Sequence, residues 1–561
     1  MKRVIATTVL SLTALAVAAL AAQQSAAGQA AESPVTAPSA AAASDDNCSR
    51  LAALHLADVT IATATSRAAG APVPNSGLSP MFGAAAVVAK APADMCRIAG
   101  HIKPTPGSDI GFEVWLPSAG WDGRLHGIGI GGFAGAIDYF TLGLAIKAGQ
   151  AGVATDTGHR GNMQEYDWAK GQPEKVRDYN WRGVHLATVA AKQLVSAFYG
   201  RGPDKSYFVG CSGGGRQGLV EAARFPADYD GIVAGAPASS FTDLAMAFTN
   251  TIQAQNAPGG AIRPEQAKLL QAEVLKQCDA SDGQADGLVA DPRQCRFDAS
   301  ALSCAKTNSP QCFSDPQIAA LRRIHMGPRN AAGRQLAGGY LPSGSEAGDP
   351  APQLGWEGFL LRGKTGKPAG EGLADGMLGA LIQKPFATPA SFDWERGPAL
   401  LRSAAREIDA PPNLSRFFAR GGKLVIWHGL ADGAIPPEIT LSYHDAMLRS
   451  SGARASASTR LFMIPGMQHC FGGLGPDNFG QSGAPPWGDV PERNAVLALQ
   501  DWTEGKRPAP DWLIGRRGHG GGMMGAGAPG PERQRLLCAW PKRAVLGAGQ
   551  DPDKAASYSC S

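Results

Sequence analysis

The sequence predicts an α/β fold, a mainly parallel sheet flanked by helices and interrupted by one large insertion. Three observations predict it. Short apolar runs of strand type alternate with helical periodicity in both the first and the last third of the chain. One run, SYFVG at 206–210, leads directly into a glycine-framed serine and then a helix. Between about Phe241 and Asn413 the strand–helix rhythm stops, and a Gly-, Pro- and Gln-rich stretch with four cysteines replaces it.

From Cys48 to Cys96 short apolar runs mix with turns. IGFEVWL, Ile110 to Leu116, alternates as a strand does. Leu125 to Ile130 is a second strand, ending in Gly131-Gly132-Phe133, and GVAT at 152–155 is a third. Trp181 to Tyr199 is predicted helical, with Val184, Leu186, Val189, Leu194, Val195 and Phe198 at helical spacing. Ser206 to Gly210 is a buried strand, followed by a helix over Arg216–Arg224 and a short strand over Ile232–Ala234. The pattern resumes with KLVIW (Lys423–Trp427), a helix over Ile439–Arg449, RLFMI (Arg460–Ile464) and a closing helix over Val496–Trp502. Arg517–Pro531, rich in Gly and Met, is expected to be a surface loop. The core is therefore expected in two parts, 48–240 and 414–561, around an insertion at 241–413.

Composition narrows the function classes. The 561 residues are 44% hydrophobic, enough for a large core, and the net charge of +4 is spread without a Lys/Arg block. That excludes an electrostatic footprint for nucleic acid or an anionic membrane. Lys2 and Arg3, the apolar stretch Val4–Val17 and Ala19-Leu20-Ala21 have the form of a signal peptide over 1–21, with a disordered Ala/Ser/Pro-rich leader over 22–47. The alternative, a membrane anchor, is disfavoured by the short apolar run, and no later stretch is long enough to span a bilayer. Export, to the periplasm or beyond, is the expectation. Ten cysteines, an even number with no C-x-x-C pair, then argue for disulfides rather than zinc. Local spacing favours 278–295, 304–312 and 538–560, and leaves the other four cysteines open.

Gly210-Cys211-Ser212-Gly213-Gly214 fits G-x-S-x-G between a strand and a helix. On such a turn the serine hydroxyl stands above the sheet, and larger neighbours than glycine clash. A phosphate loop is the competing reading, but the G-K-[ST] ending is missing and Arg216 is the only nearby cation. A serine needs a base to take its proton, and the order serine, acid, histidine after successive strands is the expected one. Asp432 in HGLAD follows the strand Lys423–Trp427, and His469 in PGMQHC follows Arg460–Ile464. Asp432 is expected to hold the tautomer of His469, the general base and acid. His428 lies too early for the base and is read as structural. The oxyanion hole needs two N–H donors; Gly213 supplies one, and either Gly131 or Gly132 the other.

Cys211-Ser212, Asp432 and His469-Cys470 resemble the CS-D-HC pattern of the tannase and feruloyl esterase family, and TDTGH at 155–159 and GGFAG at 131–135 are similar to family segments. The resemblance runs from about Cys48 to Cys560. It implies an α/β-hydrolase domain with a lid inserted between nucleophile and acid. It also implies five disulfides, Cys48–Cys96, Cys211–Cys470, Cys278–Cys295, Cys304–Cys312 and Cys538–Cys560. The bridge 211–470 would clamp the serine turn to the histidine loop. The segment CDASDGQADGL places three aspartates close together in a small-residue loop, an oxygen-rich set suited to calcium though not an EF-hand. The resemblance implies a structural Ca2+ held by the side chains of Asp279, Asp282 and Asp286 and the carbonyls of Gln284 and Leu288.

The family cleaves esters of aromatic acids, so the expected partner is an aromatic ester, small or carried on a plant polymer. A terephthalate-monoester branch is similar at Gly355-Trp356. However, Gly370–Phe386 holds no arginine for a second carboxylate, and Ile435 is aliphatic where that branch is aromatic. Trp356, Phe359 and Phe386 are candidates either for the cleft wall or for the lid core. Two other readings are carried: a calcium-stabilised binding protein without catalysis, and a serine peptidase on the same fold.

Overall fold

In a computed structural model, residues 47–73, 90–347, 355–362, 367–381, 388–481, 484, 487–517 and 533–561 are described. Nine strands share one sheet: β1 (Val59–Arg67), β2 (Met95–Ile102), β3 (Ile110–Pro117), β4 (Arg124–Ile128), β5 (Ala151–Thr155), β6 (Lys205–Cys211), β7 (Gly231–Gly235), β8 (Lys423–Gly429) and β9 (Thr459–Ile464). Their order is β1-β2-β3-β5-β4-β6-β7-β8-β9. The first three strands run antiparallel, β3 pairs antiparallel with β5, and β5 through β9 are mutually parallel. The parallel strands β5 and β7 are buried at every position, which is why they read as short apolar runs.

The pair β1–β2 was not foreseen in the Cys48–Cys96 stretch. β1, VTIATATSR, lies at the sheet edge and is half exposed, so Thr and Ala carry its alternation and the apolar signal is faint. The helix expected from Arg216 begins at Gly213, because the glycines after the serine already form its first turn. The helix expected from Trp181 starts at Gly183, behind a wider turn over Asp178–Arg182.

Between β7 and β8 the chain forms the helices Phe241–Asn256, Pro264–Cys278, Asp315–Met326, Ala369–Gly376 and Gly397–Ile408. Their buried faces merge into one apolar cluster with Phe133, Tyr179, Ile435 and Ile439 of the sheet-bearing part. This segment therefore rests directly on the loops at the carboxyl ends of the strands. After β9 come the helix Ala495–Thr503 and two small hairpins, β10 (Trp512–Arg516) with β11 (Gln534–Cys538), and β12 (Ala544–Leu546) with β13 (Tyr558–Cys560).

All ten cysteines are paired, 48–96, 211–470, 278–295, 304–312 and 538–560. Among the described residues no helix is long and apolar enough to cross a membrane. The expected signal peptide and leader up to residue 46, Phe386, and the expected loop beyond Arg517 lie outside the described residues.

Candidate active site

Ser212 follows β6 with φ +61° and ψ −122°, left-handed backbone that a non-glycine residue adopts only under constraint. Its N–H donates to Gly235 O at 2.9 Å, and its carbonyl accepts from Arg216 N at 3.0 Å and Ala238 N at 3.1 Å. The turn is thus tied to β7 and to its own helix. Backbone packing explains the glycines. A Cβ on Gly210 would stand 2.4 Å from the carbonyl carbon of Gly214, and one on Gly214 2.9 Å from that of Gly129.

Asp432 is buried three residues past β8. Its Oδ1 accepts from the N–H groups of Ala434 (2.7 Å) and Ile435 (2.8 Å), and its Oδ2 accepts from His469 Nδ1 at 2.8 Å. Burial pushes the carboxyl up. The electrostatic pull of the adjacent His469 ring, with hydrogen bonds from His428 and His469, outweighs that and holds it far below the usual carboxylate range. Because Nδ1 must donate to a carboxylate, the Nε2 lone pair of His469 is left as a base. His469 and Ser212 line the same pocket. The ring of His469 meets Phe359 edge-on at 5.4 Å, and Cys470, next in sequence, is bonded to Cys211, the residue before Ser212.

His428 is fully buried behind the acid rather than in the pocket. Its Nε2 lies 3.0 Å from Ile435 O and 3.2 Å from Asp432 Oδ2, and its Nδ1 lies 2.7 Å from Thr440 Oγ1. Two acceptors at Nε2 require the proton there, so Nδ1 accepts from the threonine.

The two glycine candidates differ in their surroundings. Gly131 O accepts from Ala134 N at 3.2 Å, closing a turn in which Gly132 has φ +57°. Gly132 lines the pocket with Gly213, and a Cβ on Gly213 would lie 3.3 Å from Gly132 N. Gly213 opens its helix, so its N–H precedes the first intrahelical bond. Gly131 also approaches the serine, its Cβ position lying 4.0 Å from Ser212 Cβ, but it does not line the pocket. A Cβ on Gly132 would stand 2.5 Å from Met163 Cβ, in a conformation that already favours glycine.

The rest of the pocket wall is apolar, with Phe133, Phe241, Leu244, Phe248 and Ile435 facing it. Of the three aromatic candidates, Phe359 lines the pocket. Trp356 is buried 5.5 Å from the His325 ring and belongs to the packing of the inserted segment. Phe241 and Phe248 were missed because their helical spacing looks the same in a core helix as in a pocket wall.

The TDTGH segment lies next to this pocket. His159 donates from Nε2 to Phe133 O at 2.7 Å, and burial lowers its pKa to about 4. The unfolded histidine titrates near 6.5. Between those values the unfolded chain binds a proton that the folded chain excludes, so this group removes stability as pH falls from about 6.5 toward 4. The full effect is on the order of 3 kcal/mol. His159→Gln is therefore expected to show a shallower fall in Tm than wild type between pH 6.5 and 4.5 by scanning calorimetry. Parallel slopes would contradict it.

In the acidic loop, the Asp279 carboxylate accepts from the N–H groups of Asp286 (3.2 Å), Gly287 (2.9 Å) and Leu288 (3.2 Å), and Asp282 accepts from Gln284 N at 2.9 Å. Asp286 Oδ2 pairs with Arg535, while its Oδ1 is buried without a partner. Burial raises the Asp282 carboxyl, and the Asp286 charge raises it further. Asp286 thus keeps one buried oxygen free of hydrogen bonds, but the oxygens of Asp279, Asp282 and Asp286 are not gathered within reach of one ion; among the described residues only His185, Glu221 and Asp228 bring three such ligand atoms within 4.8 Å of one another.

A strained serine between strand and helix, followed in chain order by an acid and a histidine on later strands, defines an α/β-hydrolase. The family model described as tannase and feruloyl esterase matches residues 96–561. An uncharacterized esterase of Xanthomonas campestris is 34% identical over 94% of this chain and 92% of its own length. A probable feruloyl esterase B-2 of Aspergillus flavus is 33% identical over 76% of this chain and 80% of its own. The crystal structure of feruloyl esterase B from Aspergillus oryzae superimposes with a TM-score of 0.80 at 26% identity, covering 92% of this chain and all of that one. The chain belongs to the tannase and feruloyl esterase family and is a carboxylic ester hydrolase.

Proposed function

We propose that the protein is an exported esterase of aromatic carboxylic acids, of feruloyl or galloyl type, working through an acyl-enzyme on Ser212. The observation that carries this reading is the Asp432–His469 pair at 2.8 Å on the apolar pocket that also holds Ser212 and Gly132. His469 Nε2 takes the proton of Ser212 as Oγ attacks the ester carbonyl. The N–H groups of Gly213 and Gly132 receive the developing oxyanion. Collapse expels the alcohol, which takes its proton from His469, and water repeats the cycle on the acyl-enzyme. Asp432, kept ionised, stabilises the imidazolium in both halves. The aromatic wall of Phe133, Phe241 and Phe248 suits an aryl acyl group. Five disulfides accord with an oxidising compartment outside the cytoplasm.

Initial rates on methyl gallate, methyl ferulate, methyl benzoate and a terephthalate monoester test the reading. Hydrolysis of an aromatic ester, with amide analogues cut more slowly, is expected. Absence of turnover on all four, with no labelling of Ser212 by a phosphonate, would favour a binding protein.

Asp279, Asp282 and Asp286 with the carbonyls of Gln284 and Leu288 would hold Ca2+, whose charge would neutralise the carboxylates of a loop closed by the 278–295 bridge. It would take no part in the chemistry. Chelation is expected to lower Tm by about 3–5 °C and to leave the initial rate within twofold; a rate that collapses at unchanged Tm would contradict the assignment.

A further inference from the structure

We propose that Tyr179 and His159 are positioning residues that aim the Gly132 N–H at the oxyanion. The inference rests on the serine-esterase reading above. Three consecutive carbonyls of the loop after β4 are each held by a separate donor. Gly131 O accepts from Ala134 N (3.2 Å), Gly132 O from Tyr179 OH (2.6 Å) and Phe133 O from His159 Nε2 (2.7 Å). Two further bonds, Phe133 N to Met163 O (2.9 Å) and Gly135 N to Gly161 O (3.0 Å), tie the loop down. With the Gly131 carbonyl turned into the bond to Ala134, the N–H of the same trans peptide, that of Gly132, faces the opposite way, out of the turn, and a Cβ on Gly213 would lie 3.3 Å from that nitrogen.

Glycine at positive φ is the position most able to flip its flanking peptides. A flip at Gly131–Gly132 would put a carbonyl where the hole needs a donor, and a flip at Gly132–Phe133 would break the bond to Tyr179. Both anchoring side chains are rigid. Tyr179 is buried, with Phe133 edge-on at 6.2 Å and Phe241 stacked at 6.4 Å. Its neighbour Asp178 is held by Arg182 Nε (2.5 Å) and Ser108 Oγ (2.7 Å). His159 stacks on Trp168 at 3.7 Å. Because Phe133 O only accepts, the buried neutral imidazole carries its proton on Nε2. This gives the TDTGH segment a function that the triad leaves unexplained.

A preorganised donor contributes in the transition state and little in substrate binding. Tyr179→Phe removes one hydroxyl and keeps the ring. On p-nitrophenyl benzoate its kcat is expected to fall by about tenfold or more with KM within twofold of wild type. The Ki of 2,2,2-trifluoroacetophenone, whose adduct with Ser212 bears the oxyanion, should rise by a matching factor. His159→Leu should behave alike, and His159→Gln, which retains an N–H donor, should recover most of the loss. Wild-type kcat and Ki in both Tyr179→Phe and His159→Leu would overturn the inference, as would a loss expressed in KM with Ki unchanged. Full activity in Ser212→Ala would instead overturn the serine-esterase reading beneath it.

Discussion

Ser212→Ala is expected to lower kcat by about 10⁵-fold or more, with far-ultraviolet circular dichroism and Tm close to wild type. When nucleophile and base act as one unit, loss of either removes almost the whole covalent route, and only the oxyanion donors and binding remain. Here the remaining donors would be Gly132 and Gly213, whose backbone the substitution leaves in place. Alanine carries the same Cβ as serine, so the left-handed backbone at φ +61° is no more strained than before. None of the hydrogen bonds that hold the turn, Ser212 N to Gly235 O and Ser212 O to Arg216 N and Ala238 N, uses the hydroxyl. A catalytic loss without a loss of fold is the signature of a nucleophile. Single-turnover measurement with p-nitrophenyl benzoate would show the burst vanish; a variant within tenfold of wild type would remove Ser212 from that role.

The serine turn was legible because its constraints are local. Glycines at 210, 213 and 214 answer to backbone atoms four residues away or on the adjoining loop, and the apolar run before them belongs to a strand buried on both faces. Asp432 and His469 were legible from chain order, since parallel strands deliver their following loops to one edge of the sheet. The difference between Gly131 and Gly132 in their surroundings was hidden. It depends on a turn closed by Ala134 and on Met163, Tyr179 and His159, which reach the loop only after the chain has folded. The edge strand β1 was hidden for the opposite reason: its pairing with β2 is long-range, and its exposed Thr and Ala positions leave no apolar stripe to read. His428 reads as structural by position, and it is buried. Its contact with Asp432 arises because the loop after β8 curls back until Ile435 O and Asp432 Oδ2 both face the same ring nitrogen.

Replacing Cys211 and Cys470 together by alanine is expected to lower stability by roughly 5 kcal/mol, the largest such effect among the five bridges. The bond closes a loop of 259 residues, so its loss frees more of the unfolded chain than any other. In the same chain-entropy treatment the 304–312 bridge, spanning 8 residues, contributes roughly 2–3 kcal/mol. The second pair is therefore the control. The two differ in place as well as span. Cys211 precedes the nucleophile, and Cys470 follows the base with φ +66°, so this bond joins the two backbones that set the distance between Ser212 and His469. A shift of about 1 Å between reacting groups costs on the order of a hundredfold in rate. The 211/470 variant should lose ten- to a hundredfold in kcat below its unfolding transition, and the 304/312 variant almost none. Equal urea midpoints for the two variants would refute the entropic part, and full activity in the folded 211/470 variant would refute the clamp.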